Sequence, residues 1–258
     1  MKISIIIPAR NEEAQIAGTL LAVLRSVASH ADLPLERLRL QATRCEVLVV
    51  DSGSSDGTPR ILAEFADSFG VQRLHTLRPG ASAARNLGAA RSGGEVLVFI
   101  DADTRVPEGA IGRIQNLVEQ RGGAAGIFPY ASQEGGVRAH CWWAFWNWVR
   151  LLPLARAKAM PAFMFCTRQV FQQFGPFDEC VAIGEEWPIL AGVYRRNRRE
   201  LVYDRTLRAH TSSRRMQLVR LGYTRLYVKY ALAILFKTAR VHYTDRIREC
   251  PRREGGRD

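Results

Sequence analysis

Two aspartates, Asp101 and Asp103, follow directly after the apolar run Val96 to Ile100. Five consecutive apolar residues predict a strand that is buried on both faces, so both carboxylates lie where that strand ends. Residues i and i+2 of an extended chain point the same way, which lets both carboxylates face one site. Paired carboxylates suit Mg²⁺ or Mn²⁺, which keeps other positions for water and substrate phosphates. The alternative is a helix cap followed by a turn, because Pro107 is able to begin a helix.

The elements that must position these carboxylates alternate between strand and helix. Strands are predicted at 2–7, 46–50, 71–77 and 96–100, with helices at 12–27, after Pro59 and from 80–88 onward. This order predicts an α/β fold with a mostly parallel twisted sheet, Rossmann-like and flanked by helices. The carboxyl ends of such strands form the edge at which open sheets bind ligands.

Polar loops follow the first two strands at this edge. The loop Pro8-Ala9-Arg10-Asn11-Glu12 precedes a helix N-terminus, a position suited to a nucleotide, although a turn capped by Asn11 is an equal alternative. The loop 51–58 begins with Asp51, whose carboxylate is suited either to a base N–H or to an Asx turn.

The helix that begins near Gly80 is rich in alanine and carries two polar exceptions, Arg85 and Asn86. An arginine next to a diphosphate supplies paired hydrogen-bond donors. A solvent-exposed arginine is the alternative, since most arginines lie on protein surfaces.

The net charge of +12 is concentrated in the last quarter of the chain. Residues 1–194 hold 19 basic and 19 acidic side chains, whereas residues 195–258 hold 18 and 6. The basic part is interleaved with aliphatic residues and carries no nucleic-acid-binding motif, so we expect no nucleic-acid partner.

Five cysteines, odd in number and widely spread, argue against a disulfide framework or a zinc site and favour a reducing cytoplasm. The longest charge-free run near the C-terminus, 230–236, is far shorter than the roughly 20 residues that span a bilayer. We therefore expect a cytoplasmic protein, with peripheral contact at the inner face of the plasma membrane as one option.

Four blocks of sequence resemble the motifs of family 2 glycosyltransferases, which are inverting enzymes with the GT-A fold. The blocks are IPARNEE at 7–13, VDSGSSDGT at 50–58, ARNLG at 84–88 and DAD at 101–103. The resemblance implies a UDP- or GDP-linked sugar donor, inverting transfer and a divalent cation, Mg²⁺ or Mn²⁺.

The same resemblance implies a role for each matching residue. The implied donor-binding residues are Pro8, Ala9, Arg10, Asn11, Glu12, Asp51, Ser54, Arg85, Asn86, Asp101 and Ala102. The implied metal ligands are Asp101, Asp103 and His210, the last because GT-A enzymes often use a histidine after the corresponding strand.

The second half of the chain is expected to supply the acceptor side and the catalytic base. Gly175 to Glu179 resembles the family's Gly-Gly-Phe-Asp-Glu turn, with Pro176 in place of the second glycine. Gly184-Glu185-Glu186-Trp187 is similar to its Gly-Glu-Asp block, which makes Glu186 the expected base where the family usually has aspartate, with Glu185 as the alternative.

Two further segments are candidates for contact with a membrane. The segment 140–153 holds four of the five tryptophans and one charge, so if helical it is either buried under the site or partly exposed to lipid or a partner. The segment 214–248 alternates leucines with basic residues, which is typical of a helix that binds an anionic membrane surface or packs on the catalytic domain.

The predicted organisation is therefore a catalytic domain at 1–212, with a nucleotide-sugar half at 1–105 and an acceptor half at 106–212. A C-terminal basic amphipathic helical segment at 213–249 and a disordered tail at 250–258 follow. The acceptor is not specified, a lipid being one candidate, and the absence of a Gln-x-x-Arg-Trp block favours single addition over polymerisation. The alternative functions are a nucleotidyltransferase and a non-catalytic protein that binds a nucleotide sugar or a membrane surface.

Overall fold

The computed structural model describes residues 1–152, 162–180 and 184–214. Almost all of the predicted basic helical segment and the whole of the predicted tail therefore lie outside the described residues. The strands are β1 Ile3–Ala9, β2 Cys45–Asp51, β3 Gln72–His75, β4 Val96–Ile100, β5 Thr104–Arg105, β6 Ala125–Ile127, β7 Tyr130–Ser132, β8 Phe163–Thr167, β9 Leu201–Tyr203 and β10 Ala209–Thr211. The helices are α1 Ile16–His30, α2 Thr58–Phe69, α3 Ala81–Arg91, α4 Ala110–Glu119, α5 Val137–Val149, α6 Arg168–Phe174 and α7 Trp187–Arg196.

Seven of these strands form one sheet in the order β3-β2-β1-β4-β8-β6-β9. The pairs among β3, β2, β1 and β4 are parallel, β8 runs antiparallel to both β4 and β6, and β6 pairs in parallel with β9. The expected mostly parallel α/β sheet is confirmed. The loops after β1, β2 and β4 leave the sheet at the same edge, because parallel neighbours end together.

The sheet is covered on both faces. Along β4, Val96, Val98 and Ile100 pack into one hydrophobic cluster, and Leu97 and Phe99 pack into the cluster on the opposite face. Successive side chains of a strand point to opposite faces, so a run of five apolar residues is required where helices cover both. The prediction of a doubly buried strand before Asp101 is confirmed.

Helix α3 lies close to β1 because of a glycine in the ARNLG block. A Cβ atom placed on Gly88 would lie 2.5 Å from Cγ2 of Ile6, so the helix approaches the sheet only if this position lacks a side chain. Arg85 lies three residues earlier on the same helix, and positions i and i+3 share a face. The depth at which Arg85 enters the molecule therefore depends on Gly88.

This contact gives a stability prediction. We expect Gly88→Ala to lower the free energy of unfolding by about 1–3 kcal/mol, because the added methyl group overpacks the helix–sheet contact. Gly109→Ala is the matched control, since a Cβ there meets nothing within 4 Å. Urea unfolding followed by circular dichroism measures both variants, and a Gly88→Ala protein as stable as the control would show that Ile6 moves aside freely.

A second, three-stranded sheet in the order β5-β10-β7 lies beside the first. Strand β10 pairs antiparallel with β5 and parallel with β7. None of these strands was predicted, because segments of two or three residues are too short to show a periodic pattern. This sheet connects the segment after Asp103 to strands β7 and β10 from the second half of the chain.

The turn between β9 and β10 is held by Asp204. Its carboxylate accepts from Arg113 Nε at 2.5 Å and from Nη2 at 3.2 Å, and it also accepts from the backbone and side chain of Thr206. Burial alone would raise the pKa of Asp204, but these hydrogen bonds and the Arg113 charge outweigh it and lower the pKa below its ordinary value.

A lowered carboxylate pKa makes stability depend on pH. The ionised Asp204 carboxylate stabilises the folded protein at pH values above the ordinary aspartate pKa of about 3.9. This stabilisation is lost as the pH falls through the lower pKa that Asp204 has in the folded protein. We expect Asp204→Asn to cost about 2 kcal/mol at neutral pH, with the difference from the unsubstituted protein shrinking in acid. Denaturant unfolding of both proteins across pH 3–7 measures it, and a difference independent of pH would contradict the assignment.

The described cysteines differ in their bonding state. Cys45, Cys141 and Cys166 are free thiols, whereas Cys180 is disulfide-bonded. Separation along the chain does not report the distance in space, and a disulfide needs Cα atoms only about 4.4–6.8 Å apart. The sequence argued against a framework of several disulfides, and among the described residues one bonded cysteine beside three free thiols does not form such a framework.

Candidate active site

The loops after β1 and β2 are joined to each other by hydrogen bonds. The backbone of Asn11 donates to Ser54 Oγ at 2.9 Å, and the Asn11 side chain accepts from the backbone of Ser55 at 2.8 Å. Asn11 has a φ of 53°, a left-handed conformation that asparagine tolerates better than most residues. Asn11 therefore does not cap α1, which begins at Ile16, and instead fixes one loop against the other.

Asp51 has one carboxylate oxygen in this loop network and one facing the strand edge. Oδ1 accepts from the backbone and hydroxyl of Ser54, at 3.0 and 2.5 Å, and closes the turn. Oδ2 lies 3.9 Å from Nδ1 of His75. The predicted Asx-type turn is thus present, and it orients the oxygen that the predicted nucleoside contact would use.

Of the remaining residues predicted for the donor, Ala9 and Ala102 are buried, Pro8 is half-buried and Arg10 is exposed. Glu12 is bound by Arg214, a contact that the sequence analysis did not predict. Its two oxygens accept from Nη2 of Arg214, at 2.8 and 2.6 Å. The donor-side loop is thereby tied to the chain just after β10.

Arg85 lies at the centre of the sheet edge between two carboxylates. Its Nη2 donates to Asp101 Oδ1 at 2.6 Å, and its Nη1 forms an ion pair with Glu185. Only 10% of the Arg85 side chain is exposed, and its guanidinium lies 5.7 Å from the centre of the Phe177 ring. The arginine thus joins the turn 101–103 after β4, here called the carboxylate turn, to Glu185, which precedes α7.

The charges around Arg85 keep it protonated. Burial alone would lower the pKa of Arg85, but the charges of Asp101 and Glu185 and the hydrogen bonds to them outweigh it and raise the pKa above its ordinary value. Removing one partner of a buried ion pair leaves an uncompensated charge, so these three residues are expected to act as a unit.

Asn86 uses its side chain to hold the neighbouring turn. Its Nδ2 donates to the Phe177 carbonyl at 2.9 Å and to Glu179 Oε1 at 3.0 Å, and its Oδ1 accepts from the Phe177 backbone at 2.9 Å. This gives Asn86 a positioning role for Phe177, which in turn packs near Arg85. The donor contact expected for Asn86 stays a prediction.

Asp103 and His210 come together on the second sheet. Strand pairing sets Thr104 opposite Thr211, and their hydroxyls meet in the interior at 3.0 Å. The backbone of Ser212 donates to the Asp103 carbonyl at 3.1 Å, which extends the pairing by one residue. Because side chains alternate along a strand, Asp103 and His210 lie on the outer face, one diagonal apart.

Gln133 fixes this arrangement and was missed by the sequence analysis. Its Nε2 donates to the carbonyls of both Asp103 and His210, at 2.7 and 3.0 Å. A glutamine outside every motif gives no signal in the sequence. Its position beside Asp103 and His210 would have been predictable only from the pairing of β7, which ends at Ser132, with β10.

The three predicted metal ligands, Asp101, Asp103 and His210, are not assembled as a three-residue metal site. Among the described residues, no group of three or more His, Cys, Asp or Glu is placed to hold a metal ion. Mg²⁺ and Mn²⁺ are commonly held by one or two carboxylates together with substrate phosphates and water. Asp101 and Asp103 supply such carboxylates, and His210 shares the outer face with Asp103.

The two glutamates predicted as bases occupy different environments. Glu185 contacts Arg85 and is thereby linked to Asp101. Glu186 is 3% exposed and precedes α7, where its carbonyl accepts from the backbone N–H groups of Ile189 and Leu190. Glu185 is therefore linked to the carboxylate turn through Arg85, whereas Glu186 is a buried residue at the start of α7.

The profile of the family described as glycosyl transferase family 2 matches residues 4–181, more than half of the chain. The chain belongs to this family. The family membership expected from the four sequence blocks is thereby confirmed.

Several known glycosyltransferases are similar to this family member. Glycosyltransferase AglE of Haloferax volcanii is 28% identical over 182 residues, which cover 68% of this chain and 55% of AglE. The undecaprenyl-phosphate 4-deoxy-4-formamido-L-arabinose transferase of Pseudomonas syringae pv. syringae is 28% identical over 221 residues, 82% of this chain and 60% of that protein. The chain thus spans little more than half the length of these relatives.

A solved structure supports the GT-A type of fold. Glucosyl-3-phosphoglycerate synthase from Mycobacterium tuberculosis, in complex with Mn²⁺, UDP and glucosyl-3-phosphoglycerate, aligns with a TM-score of 0.57 at 20% identity. The alignment covers 90% of this glycosyltransferase chain and 79% of the synthase. At 20% identity this structural similarity shows that the two proteins share a fold and shows nothing more.

Helix α5 contains most of the tryptophan-rich segment, and much of it faces outward. Ala139 is its one buried residue, whereas Phe145 and Trp148 are 53% and 59% exposed. The option that this segment is a helix packed wholly under the site is therefore wrong. Within the described parts of the chain, no helix has the length and apolar character needed to cross a bilayer.

Proposed function

We propose that this family 2 glycosyltransferase moves a sugar from a nucleoside-diphosphate donor to an acceptor hydroxyl, with a divalent cation and inversion at the anomeric carbon. The observation that carries the proposal is the Arg85 ion-pair unit, which joins Asp101 after β4 to Glu185 before α7. This unit supports the proposal because one buried arginine links Asp101, expected on the donor side, to Glu185, expected on the acceptor side.

The nucleoside end of the donor is bound by the joined loops 8–12 and 51–58. Ser54 holds Oδ1 of Asp51 while Oδ2 faces His75 at the end of β3, so one acceptor oxygen stays available for a base or ribose. Arg85 is charged and fixed before the donor arrives, and a preorganised cation stabilises charge that grows on a leaving diphosphate. Arg10, in the loop 8–12, has an exposed side chain that is able to turn towards the phosphates.

Asp103, with Asp101 and His210, is proposed to hold Mg²⁺ or Mn²⁺. When bound, such a cation supplies Lewis-acid neutralisation of the leaving diphosphate. Gln133 and Ser212 fix the Asp103 backbone through its carbonyl, so the side chain starts from a defined position. Asp101 is held by Arg85, which sets the orientation of its carboxylate.

Glu186 is proposed as the base that removes the proton from the acceptor hydroxyl. The freed oxygen attacks the anomeric carbon from the face opposite the diphosphate, the bond to the diphosphate breaks, and configuration inverts. Glu185 is proposed as a positioning residue, because its carboxylate is engaged by Arg85. Glutamate is one methylene longer than the usual aspartate, so Glu186 begins from a more withdrawn position.

The acceptor is proposed to be a lipid, modified by single addition. The relative from Pseudomonas syringae carries undecaprenyl phosphate in its name, which supports an acceptor of this kind without identifying it. The exposed rings of α5 support peripheral contact with a membrane, since tryptophan is favoured at the lipid–water interface.

Product analysis tests the proposal. The protein is incubated with Mn²⁺ and a panel of UDP- and GDP-linked sugars in the presence of bacterial lipid extract, and separately with sugar 1-phosphates and nucleoside triphosphates. We expect nucleoside diphosphate and a β-linked glycolipid from an α-linked donor in the first mixture only. Formation of nucleotide sugar and pyrophosphate in the second mixture would instead establish nucleotidyl transfer.

A further inference from the structure

A cavity of about 770 Å³ lies between α5 and the second sheet, outside the donor-binding loops. This volume is in the range of cavities that bind small molecules. Its floor is formed by β7 and its roof by α5, and the turn between β9 and β10 closes one end. None of the residues predicted for the donor, the metal or the base lines it.

The roof of the cavity is aromatic and aliphatic. Trp143 packs edge-on against Tyr130 with ring centres 5.6 Å apart, and both rings line the interior. Towards the outside the lining includes Val137, Trp148 and Leu151, which are 82%, 59% and 47% exposed. The apolar interior therefore continues outward into exposed apolar side chains.

The end of the cavity nearest β10 is basic. Arg205 and Arg208 line it from the turn between β9 and β10, and none of the described lining residues is acidic. Burial raises the pKa of the Tyr203 phenol, and the nearby charges of Arg150, Arg205 and Arg208 oppose that rise. The neighbouring Asp204 is already bound by Arg113, which leaves it committed to holding the turn.

The basic end also lies towards the proposed transfer site. Arg208 precedes β10, whose middle residue His210 shares a sheet face with Asp103. On the opposite side of β10, Ser132 of the cavity floor is followed by Gln133, which binds the Asp103 carbonyl. One strand thus separates the basic end from the carboxylate turn.

We propose that this cavity binds an anionic amphiphile, with a phosphate or carboxylate head group at Arg205 and Arg208 and a hydrocarbon chain leaving between the rings of α5. As the acceptor site this cavity rests on the proposed glycosyl transfer: the anionic group anchors the amphiphile at the two arginines, and a hydroxyl of the same head group is the acceptor. The hydrophobic wall offers apolar burial to the chain, and the two guanidinium groups offer charge-assisted hydrogen bonds to the head group. The head group is thereby directed towards Asp103, and the chain towards the surface.

Three probes that differ in one feature test the proposal: decyl phosphate below its micelle concentration, decyl maltoside with a neutral head group, and inorganic phosphate without a chain. Binding is followed by tryptophan fluorescence, since Trp143 and Trp148 line the cavity, and by calorimetry. We expect saturable binding of decyl phosphate, tighter by about tenfold or more than that of either other probe.

Substitutions locate the binding. The double variant Arg205→Ala/Arg208→Ala removes both charges from exposed positions. We expect its affinity for decyl phosphate to be lower by about tenfold or more. Arg121→Ala, at an exposed position outside the lining, is the matched control and is expected to bind normally. The proposal would be overturned if decyl maltoside bound as tightly as decyl phosphate, or if decyl phosphate did not bind. It would also be overturned if the double variant bound decyl phosphate as tightly as the unsubstituted protein.

Donor binding is measured on the same proteins by calorimetry with UDP- and GDP-linked sugars. The double variant is expected to bind the donor as the unsubstituted protein does, because the cavity and the donor loops are separate. If the unsubstituted protein binds decyl phosphate at the arginines but no nucleotide sugar, the proposed glycosyl transfer fails and the acceptor role fails with it. If it binds the donor but no decyl phosphate, the cavity assignment alone fails.

Discussion

Asp103→Asn is expected to reduce sugar transfer by roughly 100-fold or more, because the variant loses a charged ligand for the cation that neutralises the leaving diphosphate. The substitution keeps the size of the side chain. The backbone contacts of Asp103 to Gln133 and Ser212 use its carbonyl, so they remain. The loss should therefore concern the carboxylate and leave the turn in place.

The matching measurement follows nucleoside diphosphate release across a Mn²⁺ titration. Asp103→Asn is expected to need more Mn²⁺ and to stay slow at saturation. Asp67→Asn, an exposed aspartate on α2, serves as the control with the same chemical change. An Asp103→Asn enzyme with the turnover and metal requirement of the control would remove Asp103 from the proposed metal site.

Glu186→Gln is the second substitution with a large expected effect. A general base contributes about 10²–10⁴-fold to rate, and glutamine has no basic oxygen to accept the acceptor's proton. We expect turnover to fall by this order while the donor binds normally, because the amide preserves the volume of a side chain that is 3% exposed. Steady-state rates and calorimetric donor affinity separate the two effects.

Glu185→Gln distinguishes the two glutamates. It weakens the ion pair with Arg85 and so disturbs the residue that also holds Asp101. We expect a change in donor affinity together with a smaller loss of turnover. If Glu186→Gln remains active and Glu185→Gln loses turnover with donor binding intact, the roles of the two residues are exchanged.

The sequence was sufficient for the sheet and for the identity of its edge. The strand before Asp101 shows five apolar residues because it is covered on both faces, and such runs are readable without a structure. The loops after β1, β2 and β4 follow from the parallel order, and their blocks carried the family resemblance. Each of these features depends on residues that are close together in the chain, so a short stretch of sequence was enough to predict it.

The contacts that assemble the site were not readable in this way. Arg85 pairs with Glu185, which is 100 residues away, and Glu12 pairs with Arg214, which is 202 residues away. Nothing in a single sequence states which distant charges meet. The contacts of the Asn86 amide with Phe177 and Glu179 were likewise not readable, and its expected donor contact stays a prediction.

The second sheet explains why Gln133 was overlooked. Strands β5, β7 and β10 contain two or three residues each, too few for a pattern of alternation. Their pairing nevertheless brings Asp103, His210 and Gln133 together and forms the floor of the α5 cavity. The parts of the site built on long strands were therefore predictable, and the parts built on short ones were not.

The most direct test of the account is a calorimetric titration of UDP- and GDP-linked sugars, with Mn²⁺ or with excess chelator, into the unsubstituted protein and Asp103→Asn. The central claim is that carboxylates at the sheet edge hold a cation that binds the donor's diphosphate. It predicts that the unsubstituted protein binds the donor tightly only when Mn²⁺ is present. Donor binding is expected to be weak for the unsubstituted protein in chelator and for Asp103→Asn in either condition. Donor affinity that is equal in all these conditions would contradict it.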